Sequence, residues 1–473
     1  MKAKFHQFHA KIKIMLSKEN LEELLQMALR NGGDFAEVFL EETNTTAISC
    51  EDNKIERIAS GTDIGAGIRV ISGTETVYVA TSDTSFESLR EAALKISDSI
   101  SGQKNKHKIE LTPTVSTQMP TIKRRPYEVS AREKTNQAEI LNKTARSFGD
   151  MVKQVTVRYM DSNQAITVAN SDGVYVEDNR IRTRYFINVI AAKNGILQTG
   201  HEAPGGTVGF ELFDLYPAEA SARKAVERAI KMLDAPHAPA GKMMVVLSSE
   251  AGGTLIHEAC GHALEADFIL KGTSIFGGKV GQKVASDLVS VIDDATLSGR
   301  FGTYNFDDEG TPAQKTVLIE HGILKGFMSD KYNAKLLGIP ATGNGRRQDF
   351  QHKPVPRMTN TIIAPGKMNP REIIASVKNG LLVKHMGGGE VNVANGDFVF
   401  DVTEGYLIEN GKIKHPVRGA ILTGSGPRVL EIIDMVGSDL GFQTGVCGKY
   451  DHAPVSDAQP TIRIPEITVG GRM

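Results

Sequence analysis

Apolar residues fall at Leu21, Leu24, Leu25 and Ala28. That spacing places them on one stripe of a helix and predicts an amphipathic helix over 18–30. The period then drops to two: apolar and polar residues alternate over 36–60 and 65–83, which predicts two β-hairpins, the second turning at Ser72 and Gly73. Helical spacing returns over 85–97. The same order recurs as a helix over 130–148, strands over 154–160, 165–170, 173–178 and 183–193, and a helix over 217–233. The stretch APHAPAG (235–241) has the composition of a linker.

Beyond that linker, short strands separated by glycine turns prevail, apart from a helix after Thr254 and another over 370–378. The pattern predicts an α+β chain with an N-terminal domain over 1–234, built of a sheet, helices and hairpins, in which 1–14 form an extension. A C-terminal, mainly antiparallel β domain over 241–473 carries the helix after Thr254. MGGGE (386–390) reads as a turn, because neither a Walker pattern nor G-x-G-x-x-G accompanies its glycines.

Composition narrows the class. The chain has 473 residues, 40% of them hydrophobic, and a formal net charge of −1, as expected of a globular protein of two or three domains. Basic and acidic residues are interspersed, and the densest basic run, KRRP (123–126), reads as a solvated connector, so no direct nucleic-acid surface is expected. No apolar run approaches the length of a membrane span, and no signal-type core follows the basic start, so the expected location is the cytoplasm. Cys50, Cys260 and Cys447 are the three cysteines, too few for a disulfide framework and consistent with a reducing compartment.

The candidate chemistry lies in HEACGHALEAD (257–267). His257 and His262 are five residues apart, which on a regular helix separates their directions by about 140°, against about 40° for a spacing of four. A π-bulge between them restores a common face, and Gly261 eases the deformation. KMMVVLSS (242–249) reads as a buried strand, AGG (251–253) as a turn and Thr254 as the N-cap of the helix. Two imidazoles and Glu258 in this arrangement point to a metal site with an adjacent base. A third ligand is needed. The candidates are Cys260, which points away from the shared face; Glu265 or Asp267, one turn on; and Cys447, flanked by Gly445 and Gly448, whose thiolate is a strong soft ligand.

Taken with LIHEACGHALEADF (255–268), the segments GTSIFGGKVG (272–281), DDEGTP (307–312), LIEHGILKGFMSDKYNAKLLG (318–338), TGNGRRQDF (342–350), GGGEVNV (387–393), GVCGKY (445–450) and QPTIRI (459–464) resemble the TldD/PmbA metalloprotease family. The resemblance implies that His257, His262 and Cys447 hold Zn2+ and that Glu258 is the catalytic acid/base. It further implies a peptide substrate admitted unfolded into a dimer. The partner would be a metal-free paralogue or a second copy, with the complete motif marking this chain as the metal-bearing subunit.

The expected reaction is attack of a zinc-activated water on a peptide carbonyl, with Glu258 taking the proton and returning it to the leaving amine. MGGGEVNV (386–393) is a candidate edge for pairing an extended peptide. Arg346, Arg347 and His352 read either as substrate anchors or as surface charges. The alternatives are a metal-dependent amidase, and a regulatory binding protein of the gyrase-modulator type in which four protein ligands close a structural zinc.

Overall fold

The computed structural model describes residues 16–471 apart from 101, 103–107, 117–119 and 393. The expected extension at 1–14 and Val393 lie outside the described residues. The protein is mixed α+β, with an antiparallel sheet in its N-terminal half and a small β-barrel in its C-terminal half.

Helix α1 (Lys18–Ala28) begins at Ser17, whose hydroxyl accepts from Asn20 in a capping box, and it buries the expected stripe Leu21, Leu24, Leu25 and Ala28. Strands β1 (Phe35–Glu51), β2 (Lys54–Ser72) and β3 (Glu75–Thr81) form one meander, so the two expected hairpins share β2. The turn at Ser72 and Gly73 stands where the pattern put it. The first turn uses Asp52 and Asn53, both at positive φ (47° and 65°), the geometry of a two-residue hairpin. Alternation fades near Gly61 because both faces of β2 are exposed there, while its hydrogen-bonded register with β1 continues unbroken. Backbone pairing needs no apolar face, so it leaves no period in the sequence.

After α2 (Phe86–Asp98) the order repeats. Helix α3 (Ala131–Arg146), strands β4 (Val152–Asn170), β5 (Val174–Lys193) and β6 (Ile196–Glu202), and helix α4 (Ala218–Leu233) follow. The four strands expected over 154–193 are two long ones. The long strands of both units form one sheet in the order β3-β2-β1-β4-β5-β6. Helices α3 and α4 cover the part of it that buries Val157, Tyr159, Tyr185 and Ile187.

Neither expected connector is merely solvated. The N–H groups of Lys123 and Arg124 donate to Glu211 at 3.0 and 2.9 Å. In APHAPAG, Ala235 and Ala238 are buried, and Ala238 donates to the carbonyl of Arg418 at 2.9 Å.

The C-terminal half is built mainly from two sheets. Strands β7 (Gly241–Leu247), β11 (Asn379–Val391), β12 (Asp397–Glu409), β13 (Ala420–Ser425) and β16 (Ile462–Gly470) close in the order β11-β7-β16-β13-β12-β11. The second sheet runs β9 (Lys315–Glu320), β8 (Val291–Asp294), β10 (Asn360–Ile363), β15 (His452–Gln459) and β14 (Gly441–Gly448), with β14 at its edge. Most pairings are antiparallel, but β7 runs parallel to β11 and β10 parallel to β15. MGGGE is strand rather than turn: its residues lie in β11, which pairs with β12 through three shifts of register. Small, unbranched positions permit such bulges and mimic a turn signal.

A buried ionic network joins the two halves. Arg69 contacts Glu37 at 2.8 Å and Glu309 at 2.5 Å, and Arg180 contacts Asp308 at 2.6 Å. Among the described residues no helix is long and apolar enough to cross a membrane.

Candidate metal centre

The helix carrying the motif lies against the barrel and buries Leu255, Ile256, Ala259, Cys260 and Leu264 in the main core. It starts at Thr254 with Gly253 as N-cap, so Thr254 is not the cap; its hydroxyl donates instead to Gln443 at 2.9 Å. The residues His257–Gly261 form a π-turn in which the N–H of His262 donates to the carbonyl of His257. This five-residue hydrogen bond absorbs the odd residue and puts both imidazoles on one side. A 3-10 turn over His262–Leu264 completes the segment. Gly261 serves a different end from the one expected. Its φ of −52° is ordinary, whereas a Cβ there would collide with the Met358 sulfur.

The edge strand β14 delivers Cys447 to the same place. Its Sγ lies 3.2 Å from Nε2 of His257 and 3.3 Å from Nε2 of His262. One ligand atom from each of the three residues lies within 4.8 Å of the other two. With bonds of about 2.0–2.1 Å to nitrogen and about 2.3 Å to sulfur, the edges of a tetrahedral zinc site are about 3.5 Å, so the donor set fits a zinc ion with little movement. The opposite ring nitrogens support the same reading. Nδ1 of His257 is 2.8 Å from Oδ1 of Asp457, and Nδ1 of His262 is 3.1 Å from Oε2 of Glu265. A carboxylate behind each imidazole fixes its orientation and leaves Nε2 for a metal.

Sequence reading missed Asp457, which sits on β15, two hundred residues from His257; nothing in its local pattern marks it. Glu265, a candidate third ligand, stands behind His262 rather than among the three clustered donors. It is fully buried and held by Lys449 at 3.0 Å, while Asp267 takes the same ammonium at 2.6 Å. Arg357, also fully buried, donates to the carbonyl of Cys447 at 2.6 Å and to Asp451, clamping the end of β14. Cys260 is buried, with its sulfur 3.6 Å from the carbonyl of Ile256, as a small core residue would be.

Electrostatics follow from these contacts. Burial opposes ionisation of Cys447, but hydrogen bonds and charge from both imidazoles outweigh it and bring its pKa down to about 5. Burial likewise disfavours the His262 imidazolium, yet Glu265 and Cys447 raise it to about 9. Glu265 stays ionised despite burial, with a pKa of about 2, because Lys449 and His262 face it. Glu258 lines the cavity, and burial raises its pKa above the usual carboxylate value. Both imidazoles thus favour the thiolate form of Cys447, the form that binds metal.

The cavity beside the three donors has a volume of about 620 Å³ and is bordered by Glu258, Phe268, Glu390, Val391 and β14 from Gln443 onward. Beyond Val383, among the described residues, β11 pairs only with β12. Arg346 and Arg347 are neither surface charges nor part of this cavity. Both are buried, Arg346 donating to the carbonyl of Met358 at 2.5 Å and Arg347 contacting Glu37 at 2.6 Å. His352 lies in a separate cleft, 2.7 Å from Asp349.

An α+β fold with two histidines on a distorted helix and a cysteine brought to them by an edge strand defines a protein with a candidate metal centre, and comparison supplies its family. Three profiles described as PmbA/TldA metallopeptidase match it: domain 1 over 36–98, the central domain over 124–233 and the C-terminal domain over 240–471. The chain belongs to the PmbA/TldD metallopeptidase family. It is 37% identical over 470 residues to the "Metalloprotease TldD homolog" of Haemophilus influenzae, covering 96% of this chain and 97% of that one. It is 27% identical over 445 residues to the "Zinc metalloprotease TldD homolog" of Saccharolobus solfataricus, covering 93% and 97%. The crystal structure of TldE from Thermococcus kodakarensis has the same fold, with a TM-score of 0.76 at 22% identity over 96% of this chain and 100% of that one.

Proposed function

We propose that this metalloprotease is a zinc peptidase that hydrolyses peptide bonds in small or unfolded peptides. The observation that carries the reading is the set of His257, His262 and Cys447, each imidazole backed by a carboxylate, opening on a cavity that Glu258 also lines. Bound there, zinc would supply a Lewis acid that polarises a carbonyl and makes water a better nucleophile. Glu258 takes the proton from the attacking water and returns it to the departing amine; its burial raises its pKa toward the range suited to both steps. Asp457 and Glu265 hold the two rings in place.

Peptide main chain has somewhere to bind. The strand bearing Cys447 is the edge of its sheet, and the free side of an edge strand offers unpaired N–H and C=O groups to an extended chain. The Met386–Val391 end of β11, with Glu390 and Val391 on the cavity, is a second such rim. Main-chain pairing binds sequences with little regard to side chains and requires them unfolded. The partner is a metal-free paralogue or a second copy that closes the cavity, and the work is done in the cytoplasm, where three free thiols are stable.

A structural-zinc binding protein would close the fourth position with protein; among the described residues, the cluster has three ligating side chains and adjoins open space. The deciding assay is digestion of an unstructured peptide by the zinc-loaded protein, with and without a chelator. Chelator-sensitive cleavage is expected, and intact peptide under all conditions would overturn the reading.

A further inference from the structure

The sheet face opposite α3 and α4 is covered unevenly. At one end, Arg180 and Arg182 are buried under the C-terminal half and donate to the carbonyls of Phe306 and Phe301 at 2.6 and 3.0 Å. Two residues further along β5, Arg184 emerges, its guanidinium 5.7 Å from the Phe301 ring centroid. From there the face is open. Cross-strand register sets out two rows on it: Arg57, Ser49, Arg158 and Phe186, then Ala59, Ala47, Met160 and Arg184. The small side chains of Ala47, Ser49 and Ala59 lower the floor between the arginines, leaving a trough of about 740 Å³.

Among the described residues, the guanidinium groups of Arg57, Arg158 and Arg184 have no hydrogen-bond or ion-pair partner. The carboxylate in the next row, Glu51, is taken up by Gln154 at 2.6 Å. Three unpaired cations lining one depression give it a positive potential that attracts an anion. A short chain of contacts links the trough to the metal cavity. Arg184 pairs with Gly205, whose carbonyl accepts from the hydroxyl of Thr444 at 3.1 Å; Thr444 lines the cavity, three residues before Cys447. On the other flank, Phe186 meets His201 and His201 meets His385 of β11, the strand that carries Glu390 and Val391 to the cavity rim.

We propose that this trough is a second binding site for the substrate chain, taking the carboxylate side chains of an extended acidic peptide while another part of that peptide occupies the metal cavity. The inference rests on the peptidase reading above. Alternate residues of an extended strand lie about 6.6 Å apart on one face, so carboxylates at every second position can meet the arginine rows. Arginine is suited to them because its planar fork grips a carboxylate with two parallel hydrogen bonds. A nucleic acid would bring charge of the same sign, but the short chain of contacts through Gly205 and Thr444 that links the trough to the metal cavity favours peptide.

The test is fluorescence anisotropy on the full-length, zinc-loaded Glu258→Gln protein, which should bind without cutting. The probes are unstructured peptides with Glu at alternate positions, the same peptides with Gln, and a single-stranded oligonucleotide of equal charge. The Glu peptide should bind about tenfold more tightly than the Gln peptide at low salt, with the difference shrinking as salt rises. In the triple variant Arg57→Gln, Arg158→Gln, Arg184→Gln the ratio should fall to near one, and the corresponding triple Lys variant should retain part of it. Equal binding of the two peptides by the protein with its three arginines, an undiminished preference in the triple Gln variant, or tighter binding of the oligonucleotide would overturn the proposal. A neutral peptide left uncut by the unsubstituted zinc protein, with the charge preference intact, would remove the peptidase reading and leave the trough.

Discussion

Oδ1 of Asp457 stands 2.8 Å from Nδ1 of His257, closing a contact across two hundred residues of chain. The carboxylate fixes which ring nitrogen is free to face Cys447 and makes it a better donor. Asp457→Asn keeps the shape and loses the charge, so zinc affinity should fall about 10–100-fold, the usual cost of removing such a support. Competition with a chromogenic chelator measures this. Unchanged affinity would show that Asp457 does not tune the site.

The two cysteines near the motif should behave oppositely. Cys447 meets both imidazoles, while Cys260 faces the core and the Ile256 carbonyl. Cys447→Ala should lose bound zinc; Cys260→Ala should keep it, at a stability cost of about 1 kcal/mol for a small buried side chain. Elemental analysis together with thermal melts separates the two effects. Equal zinc content in the variants would remove Cys447 from the site.

Glu258 lines the cavity without contacting either ring in the way that Asp457 and Glu265 do. Its Gln variant should therefore bind zinc normally and lose peptide cleavage by about 10²–10⁴-fold, the usual contribution of a positioned general base. Full activity in that variant would exclude Glu258 from proton transfer.

Much of this site was legible because its main elements are local. The five-residue spacing of His257 and His262 demanded a π-turn, and one is present. Cys447 could be singled out by its flanking glycines and by family resemblance. Asp457, Lys449 and Arg357 could not, because their roles depend on how β14 and β15 stack on the motif helix, a relation between distant segments that leaves no local period. The same limit explains the strand errors. The long strand around Gly61 continues where no face is buried, those over 154–193 continue through buried polar residues such as Asp161, Asn163, Arg180 and Arg182, and MGGGE is held as strand by β12 rather than by its own side chains. Arg346 and Arg347 were misread for a related reason: two adjacent arginines after a glycine look solvated until a second layer of carboxylates and carbonyls is seen to enclose them.

The ionic layer between the two halves supports a prediction on pH. Asp330 is buried near Glu309, and burial together with that neighbouring charge holds its pKa well above the ordinary carboxylate value, although Arg69 partly offsets them. A carboxyl whose pKa is raised by folding contributes stability that is fully present below its unfolded pKa of about 3.9 and is lost as pH rises through the folded value. Asp330 also caps the helix Lys331–Leu337, accepting from the N–H of Asn333 at 2.8 Å, a role that asparagine fills about as well. Asp330→Asn should therefore melt close to the parent protein near pH 4 and above it near pH 8, the gap widening with pH. A gain of about 1–2 kcal/mol at the upper end is the expected scale for relief of one buried like-charge contact. Thermal melts across that range provide the check. A variant that is less stable at pH 8 would mean that the ionised Asp330 is held favourably by Arg69, and that the repulsion from Glu309 is the smaller effect.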